Sequence, residues 1–272
     1  MSAVSPAGAL LVADVGNTRI KLAAVAPGAP LPAVGRRQDV AARDIDPPTV
    51  ERWLAAAAPG PAVLLVASVN EAAAARLEAL VTGGAATGGH SIHLHRIGHA
   101  DLPIPLRVDE PDRVGIDRAC GAAAAAVVRP GRPVVVVDCG TATTVNLVSA
   151  AGEFLGGAIL PGPVLLARAL AAGTCQLPEV EGFDAATPPP LPGRSTGAAI
   201  AAGLGWGMRG AVARIVAEGR AALGGDVDVI LTGGSAAVVR DALPDAIEIP
   251  DLVLAGIALA AERLLGRARD SG

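Results

Sequence analysis

Apolar residues fall along this chain in short runs that close on an acid or a glycine. Leu10 to Ala13 is one such run, closing on Asp14; a Gly-containing turn and a second run, Ile20 to Val25, follow, and then the Pro/Gly-rich Ala26 to Pro32. This pattern predicts strand, tight turn, strand. Pro133 to Val137 repeats it, closing on Asp138, with Thr144 to Ser149 after the turn and a third run over Phe154 to Ile159. Between the two copies, helix-like stretches at Pro48 to Ala58 and Asn70 to Val81 alternate with strand-like Ala62 to Ala67 and Ser91 to His95, and Ala119 to Val128 reads as a helix. After the second copy come Val164 to Ala172, a Pro-rich loop over Thr187 to Pro192, and a long helix from about Thr196 to Leu223 with Ser195 as its N-cap. A buried strand, Val227 to Leu231, then a helix-like Ser235 to Ala242 and a closing helix, roughly Asp251 to Leu265, complete the pattern.

The repeat sets the architecture. LLVADVGNTRIKLAAV and VVVVDCGTATTVNLVS superpose without a gap, pairing Asp14 with Asp138, Gly16 with Gly140 and Asn17 with Thr141, at an offset of 138 − 14 = 124 residues. Self-similarity at an offset of nearly half the chain length implies a duplicated supersecondary unit and two similar α/β lobes, with the cleft between them as the expected ligand site. At 272 residues the chain is long enough for two lobes. The expected division is residues 1–115 and 116–272.

Composition changes this picture in three respects. Half the residues are hydrophobic but aromatics make up only 1%, so small aliphatic side chains must fill the core. A net charge of −4 and a pI near 5.6 give no basic footprint for nucleic acid or an anionic membrane. Cys120, Cys139 and Cys175 are an odd number in a chain too long to need a disulfide framework, and no apolar run reaches the roughly 20 residues that span a bilayer. A soluble, cytoplasmic protein is the expectation.

The candidate chemistry sits where strands end. A strand that delivers a carboxylate into a Gly turn, with Asn or Thr next, offers backbone N–H and hydroxyl groups to phosphate oxygens, and its acid can hold a bridging cation or its water shell. A lone D-x-G is an ordinary hairpin turn; two at matched positions point to phosphate binding. Lys21, the sole lysine, is either a point charge for a phosphate or a solvated strand end, the hairpin resetting its alternation relative to Asp14. Asp117, in Gly115-Ile116-Asp117-Arg118, opens a helix: either a cap or first-turn acid, or a general base with Arg118 holding an anionic substrate. Thr232-Gly233-Gly234 can admit a flat or phosphorylated ligand or be a plain turn. His90, His93, His95 and His99 suggest a metal site, but no Cys or carboxylate nearby completes one, and a solvated edge strand is favoured. The three cysteines read as small core residues.

Together, D-V-G-N-T at Asp14 to Thr18, G-I-D-R at Gly115 to Arg118, D-C-G-T-A at Asp138 to Ala142, F-L-G-G-A-I-L-P-G from Phe154, S-T at Ser195-Thr196 and T-G-G at Thr232 resemble the type III pantothenate kinases, in order and spacing along nearly the whole chain. The resemblance implies two ribonuclease-H-like lobes of the actin-like ATPase superfamily and ATP-dependent phosphorylation of pantothenate, the first step toward coenzyme A. It implies that Asp14, Val15, Gly16, Asn17, Thr18, Arg19, Ile20 and Lys21 surround the ATP phosphates, that Thr141 contacts ATP, and that Gly115, Ile116, Asp117 and Arg118 surround pantothenate, with Asp117 as proton acceptor. It further implies Mg2+ with the phosphates, K+ or NH4+ at Asp138, turn amides of Gly16 and Gly140 on phosphate oxygens, and a homodimer in which Thr196 reaches pantothenate across the interface.

Two departures from the family pattern bear on the acceptor. Val108 stands where the family commonly has a substrate-facing Tyr, and the frequent acid near Asn146 is replaced. Two alternatives therefore stand beside pantothenate: phosphorylation of another small hydroxy compound on the same fold, and a noncatalytic nucleotide-binding regulator, against which the retention of Asp14, Asp117, Asp138 and Thr141 argues.

Overall fold

The computed structural model describes residues 8–83, 91–181 and 187–270. The chain runs through β1 (Ala9–Val15), β2 (Arg19–Ala26), β3 (Ala33–Ala41), α1 (Pro47–Ala57), β4 (Ala62–Ser68), α2 (Glu71–Thr82), β5 (Ile92–Arg96) and α3 (Ile116–Val128). It continues into β6 (Val134–Cys139), β7 (Ala142–Val148), β8 (Phe154–Pro161), α4 (Pro163–Ala172), α5 (Thr196–Leu223), β9 (Asp228–Thr232) and β10 (Ile247–Glu248), and ends with α6 (Leu252–Asp270). Two compact units result: residues 1–128 with 251–272, and residues 129–250. The expected division at 115/116 differs from this one, because α3 and α6 both belong to the first unit.

Each unit is built on one five-stranded mixed sheet, and the two sheets have the same plan. In the first the order is β3-β2-β1-β4-β5; in the second, read from the other edge, it is β8-β7-β6-β9-β10. In both, the first three strands form an antiparallel meander and the last two add in parallel. The α/β class and the duplicated, two-lobed plan are therefore as the repeat predicts. The gap-free superposition is not. Asp14 pairs with Lys21, seven residues on, whereas Asp138 pairs with Thr144, six residues on. The second turn is one residue shorter, closed by Gly140 N–H to the Ala142 carbonyl where the first is closed by Gly16 N–H to that of Arg19, each at 3.0 Å.

The packing follows from the small side chains. On one face of the first sheet Leu11, Ala13, Val15, Leu22, Leu64 and Val66 meet Val50, Trp53 and Leu54 of α1 and Ala73, Ala74 and Leu77 of α2. Its other face carries α3 and α6, whose close approach explains the alanines: a Cβ at Gly256 would lie 2.0 Å from the Cys120 carbonyl oxygen, so these helices touch at their backbones. In the second unit Val135, Val137, Val229 and Leu231 pack on Met208, Val212 and Val216 of α5.

One strand is added and two local expectations are revised. β3 carried no apolar signal because it is an edge strand, exposed or half-buried at all but one of its positions. Ser235 to Ala242 holds two 3₁₀ turns, Ala236–Val238 and Arg240–Ala242, rather than a helix. β5 is an edge strand, as read, but a carboxylate does lie near its histidines: Asp101 Oδ2 is 3.8 Å from His95 Nε2. His90 lies outside the described residues. No described helix is long and apolar enough to cross a membrane.

Candidate active site

Asp14 stands one residue from the end of β1, the central strand of its sheet, and is 7% exposed. Register places Lys21 directly opposite, and its Nζ donates to Asp14 Oδ2 at 2.9 Å. The hairpin thus does reset the alternation, and Lys21 is a partly buried ion-pair partner rather than a solvated strand end.

The turn between them is held from several sides. Asn70 Nδ2 donates to the Gly16 carbonyl at 3.4 Å, and Ala42 N–H to that of Thr18 at 3.0 Å. Asn17, Thr18 and Arg19 are exposed at its tip, while the side chains of Val15 and Ile20 are fully buried in the core and leave only their backbone to a ligand. The Gly16 and Gly140 amides are each committed to a carbonyl within their own turn. Their expected role as phosphate donors is therefore corrected: tight turns of this length consume that N–H. Asn70, the first residue of a stretch whose sequence predicts only a helix, also braces this turn. It does cap α2, its Oδ1 accepting from Ala73 N–H at 3.1 Å, while its Nδ2 reaches the turn.

Asp117 lies in the first turn of α3, within the same unit. Its Oδ1 accepts from Arg118 N–H at 2.8 Å, and a Cβ at Gly115 would come within 2.5 Å of that oxygen, so the carboxylate folds back over a glycine. A first-turn acid in water is stabilised as the anion by the helix dipole. Here the opposite holds: burial first, and the negative charge of Asp14 second, push the Asp117 carboxyl above the ordinary carboxylate value, against the Arg118 amide bond and the Arg118 and Lys21 charges. Burial also lowers the Arg118 guanidinium from its usual value. Beneath them the Cys120 thiol is fully buried and held well above its ordinary value by burial and by Asp14 and Asp117, so it stays protonated and inert. A half-buried acid of raised proton affinity beside a second acid and two cations suits proton abstraction from a hydroxyl.

In the second unit Asp138 occupies the matching place near the end of β6, in register with Thr232 of β9. The T-G-G turn closes over it. Gly233 has φ of +96°, and a Cβ there would meet Asp138 Oδ1 at 2.4 Å and the Cys139 carbonyl oxygen at 2.5 Å. The Cys139 thiol is pushed up to about 12 by burial and the Asp138 charge. Thr141 is exposed, and its carbonyl accepts from Gly162 N–H at 2.9 Å, which ties the end of the F-L-G-G-A-I-L-P-G run to this turn. Thr196 is elsewhere, on the wall of an apolar cavity of about 550 Å3 with Leu170, Leu177, Ala199, Ile200, Gly203 and Leu204. Val108 is half-buried in the segment leading to Gly115.

The model of the type III pantothenate kinase family matches residues 10–218. The chain belongs to the type III pantothenate kinase family. A type III pantothenate kinase from Rhodopirellula baltica is 42% identical over 193 residues, covering 69% of this chain and 68% of that protein. Other curated family members are matched over 57–64% of their own length. Among solved structures, a protein named for 2-dehydro-3-deoxygalactonokinase from Sinorhizobium meliloti is similar with a TM-score of 0.55 over 93% of this chain and 96% of that one, and a Baf-family protein from Campylobacter jejuni with 0.54 over 96% and 99%; both are 16% identical. At that identity the likeness is one of fold. The family assignment rests on the sequence matches.

Proposed function

We propose that this chain transfers the γ-phosphoryl group of ATP to the primary hydroxyl of pantothenate, giving 4'-phosphopantothenate in the first step of coenzyme A biosynthesis. The observation that carries the reading, beyond family membership, is the Asp117 environment: a half-buried carboxyl with raised proton affinity, in the family's G-x-D-R motif, beside Asp14 and Lys21.

In this reading Asp117 accepts the hydroxyl proton as that oxygen attacks phosphorus in line, and Arg118 with Gly115 and Ile116 frames pantothenate. Lys21, with the exposed tip Asn17 to Arg19, faces the phosphates of ATP, and Thr141 is a further nucleotide contact. Positioning and charge neutralisation account for most of the catalysis in phosphoryl transfer.

The donor set fits a dication carried by the nucleotide. Among the described residues no group of three His, Cys, Asp or Glu side chains forms a cage, whereas Mg2+ is commonly held by one or two carboxylates and substrate phosphates. Asp14 is the carboxylate that would hold it or its water shell, and Mg2+ bound there would neutralise phosphate charge. Asp138, closed over by Gly233, would hold the activating K+ or NH4+.

A homodimer belongs to the same proposal, with Thr196 reaching the partner's substrate. Its support is the apolar exposure of the second unit, where Ile159 is 62% exposed and Val164, Leu165 and Trp206 are 44–48% exposed. A cytoplasmic location is consistent with three free cysteines.

The test is ADP formation by the purified chain in Mg2+, with and without pantothenate, and with Na+ exchanged for K+ or NH4+. Pantothenate-dependent turnover that needs K+ or NH4+ is expected. Turnover with another small hydroxy compound but not pantothenate would give Val108 the meaning of an altered acceptor, and no turnover with either would sink the reading.

A further inference from the structure

We propose that His99 is a positioning residue for Asp117, an inference that rests on Asp117 being the proton acceptor. The link is one hydrogen bond. His99 Nε2 lies 2.9 Å from the Val114 carbonyl oxygen. A carbonyl only accepts, so Nε2 carries the proton. Val114 immediately precedes Gly115, over which the Asp117 carboxylate folds, and the Gly115 carbonyl accepts from Ala119 N–H at 3.2 Å to open α3. Val114 N–H is itself held by the Pro111 carbonyl at 3.3 Å. Val114, which leads into α3, is thus gripped through both its N–H and its carbonyl, and one grip is a side chain fifteen residues away.

The His99 end of this link is anchored to the sheet. After β5, Ile97 N–H donates to the Val66 carbonyl of β4 at 3.0 Å, and Ile97, Leu102 and Ile104 are buried. The 3₁₀ turn His99–Asp101 is closed by Asp101 N–H to the Gly98 carbonyl at 3.0 Å, and Asp101 Oδ2 accepts from Gly98 N–H at 2.9 Å. The backbone of His99 is therefore fixed, whereas its ring is half-buried on the wall of a cavity of about 410 Å3 shared with Leu102, Ile104 and Arg263. Packing does not enclose the ring on every side, so the bond to Val114 sets its direction. The carboxylate has little tolerance in return. Reacting groups held in a near-attack geometry lose up to about 100-fold for a shift of about 1 Å.

The glutamine amide nitrogen falls near the place of histidine Nε2, and the shorter asparagine places its nitrogen near Nδ1. The experiment compares His99→Gln, His99→Asn and His99→Ala by steady-state kinetics, thermal melting and amide hydrogen exchange of the segment 114–119. His99→Ala and His99→Asn are expected to lower kcat/KM for pantothenate by about 10- to 100-fold with KM for ATP almost unchanged. Exchange of 114–119 should quicken in both, and His99→Gln should restore both readouts. Equal behaviour of the Gln and Asn variants, wild-type kinetics in His99→Ala, or losses that track Tm across all three would overturn the proposal; if the Ala variant does not fold, the Gln and Asn pair decides. Should the wild type show no pantothenate-dependent turnover, the functional reading fails separately, and unchanged exchange of 114–119 in His99→Ala or His99→Asn would overturn the positioning link by itself.

Discussion

Lys21 Nζ sits 2.9 Å from Asp14 Oδ2, two residues brought face to face because the first turn leaves them in direct strand register. The pair is a cation already oriented where the phosphates of ATP are proposed to lie, and in the second unit its structural counterpart opposite Asp138 is Thr144. The two turns are therefore unequal, and only the first brings a lysine. Charge-assisted hydrogen bonds of this kind contribute about 1.5–3 kcal/mol, so Lys21→Met should lower kcat/KM for ATP by about 10- to 100-fold. Lys21 also favours the Asp117 anion, which adds a second signature: the acid limb of the pH–rate profile should move to higher pH. A Lys21→Met enzyme with wild-type kcat/KM for ATP would remove Lys21 from the phosphate site.

Asp117→Asn separates chemistry from stability. Turnover should fall by at least about 100-fold, the usual share of a general base, while ATP binding measured by calorimetry stays close to wild type. Stability should move the other way. A carboxyl whose folded pKa is raised binds protons more readily folded than unfolded, so its contribution is present below the unfolded value and lost as pH rises through the folded one. At pH 7 the ionised Asp117 is a cost, and Asp117→Asn should melt at or above the wild-type Tm, with the advantage vanishing below about pH 4. In the wild type, kcat/KM for pantothenate should rise with pH through a midpoint above the ordinary carboxylate range. A lower Tm in Asp117→Asn at pH 7, or an acid limb at ordinary carboxylate pH, would contradict the assignment of Asp117 as a base of raised proton affinity.

The acids of the proposed site stand out in the sequence because each is announced locally. Asp14 and Asp138 end apolar runs and are followed by glycine, and Asp117 precedes an alanine run that can only be a closely packed helix. The duplication was legible because the offset is constant, and the common strand order of the two sheets is its structural form. What escaped is what distant residues impose. Asn70 reaches the Gly16 carbonyl across 54 positions, and Gly256 lets α6 lie on Cys120 of α3, drawing both helices into the first unit. The one-residue difference between the turns escaped too, since aligned glycines conceal how each turn closes. β3 escaped for the reverse reason, an exposed edge strand having no apolar alternation to display.

Gly233 offers the sharpest test of how the second acid is held. Its φ of +96° is a conformation that side chains rarely adopt, and its Cα hydrogen points at Asp138 Oδ1 and at the Cys139 backbone, where a Cβ would meet oxygen at 2.4–2.5 Å. Gly234, next in the chain, has nothing within 4 Å of a built Cβ. The T-G-G turn therefore contains one glycine required by space and one that is not. Gly233→Ala should cost about 1–3 kcal/mol from backbone strain alone, displace the Asp138 carboxylate, and raise the K+ or NH4+ concentration needed for half-maximal activity. Gly234→Ala should leave Tm and cation dependence near wild type. If the two substitutions have equal effects, close packing of the turn on Asp138 is not what holds that acid in place; if Gly233→Ala lowers Tm but leaves the cation dependence untouched, the turn is structural and the monovalent cation binds elsewhere.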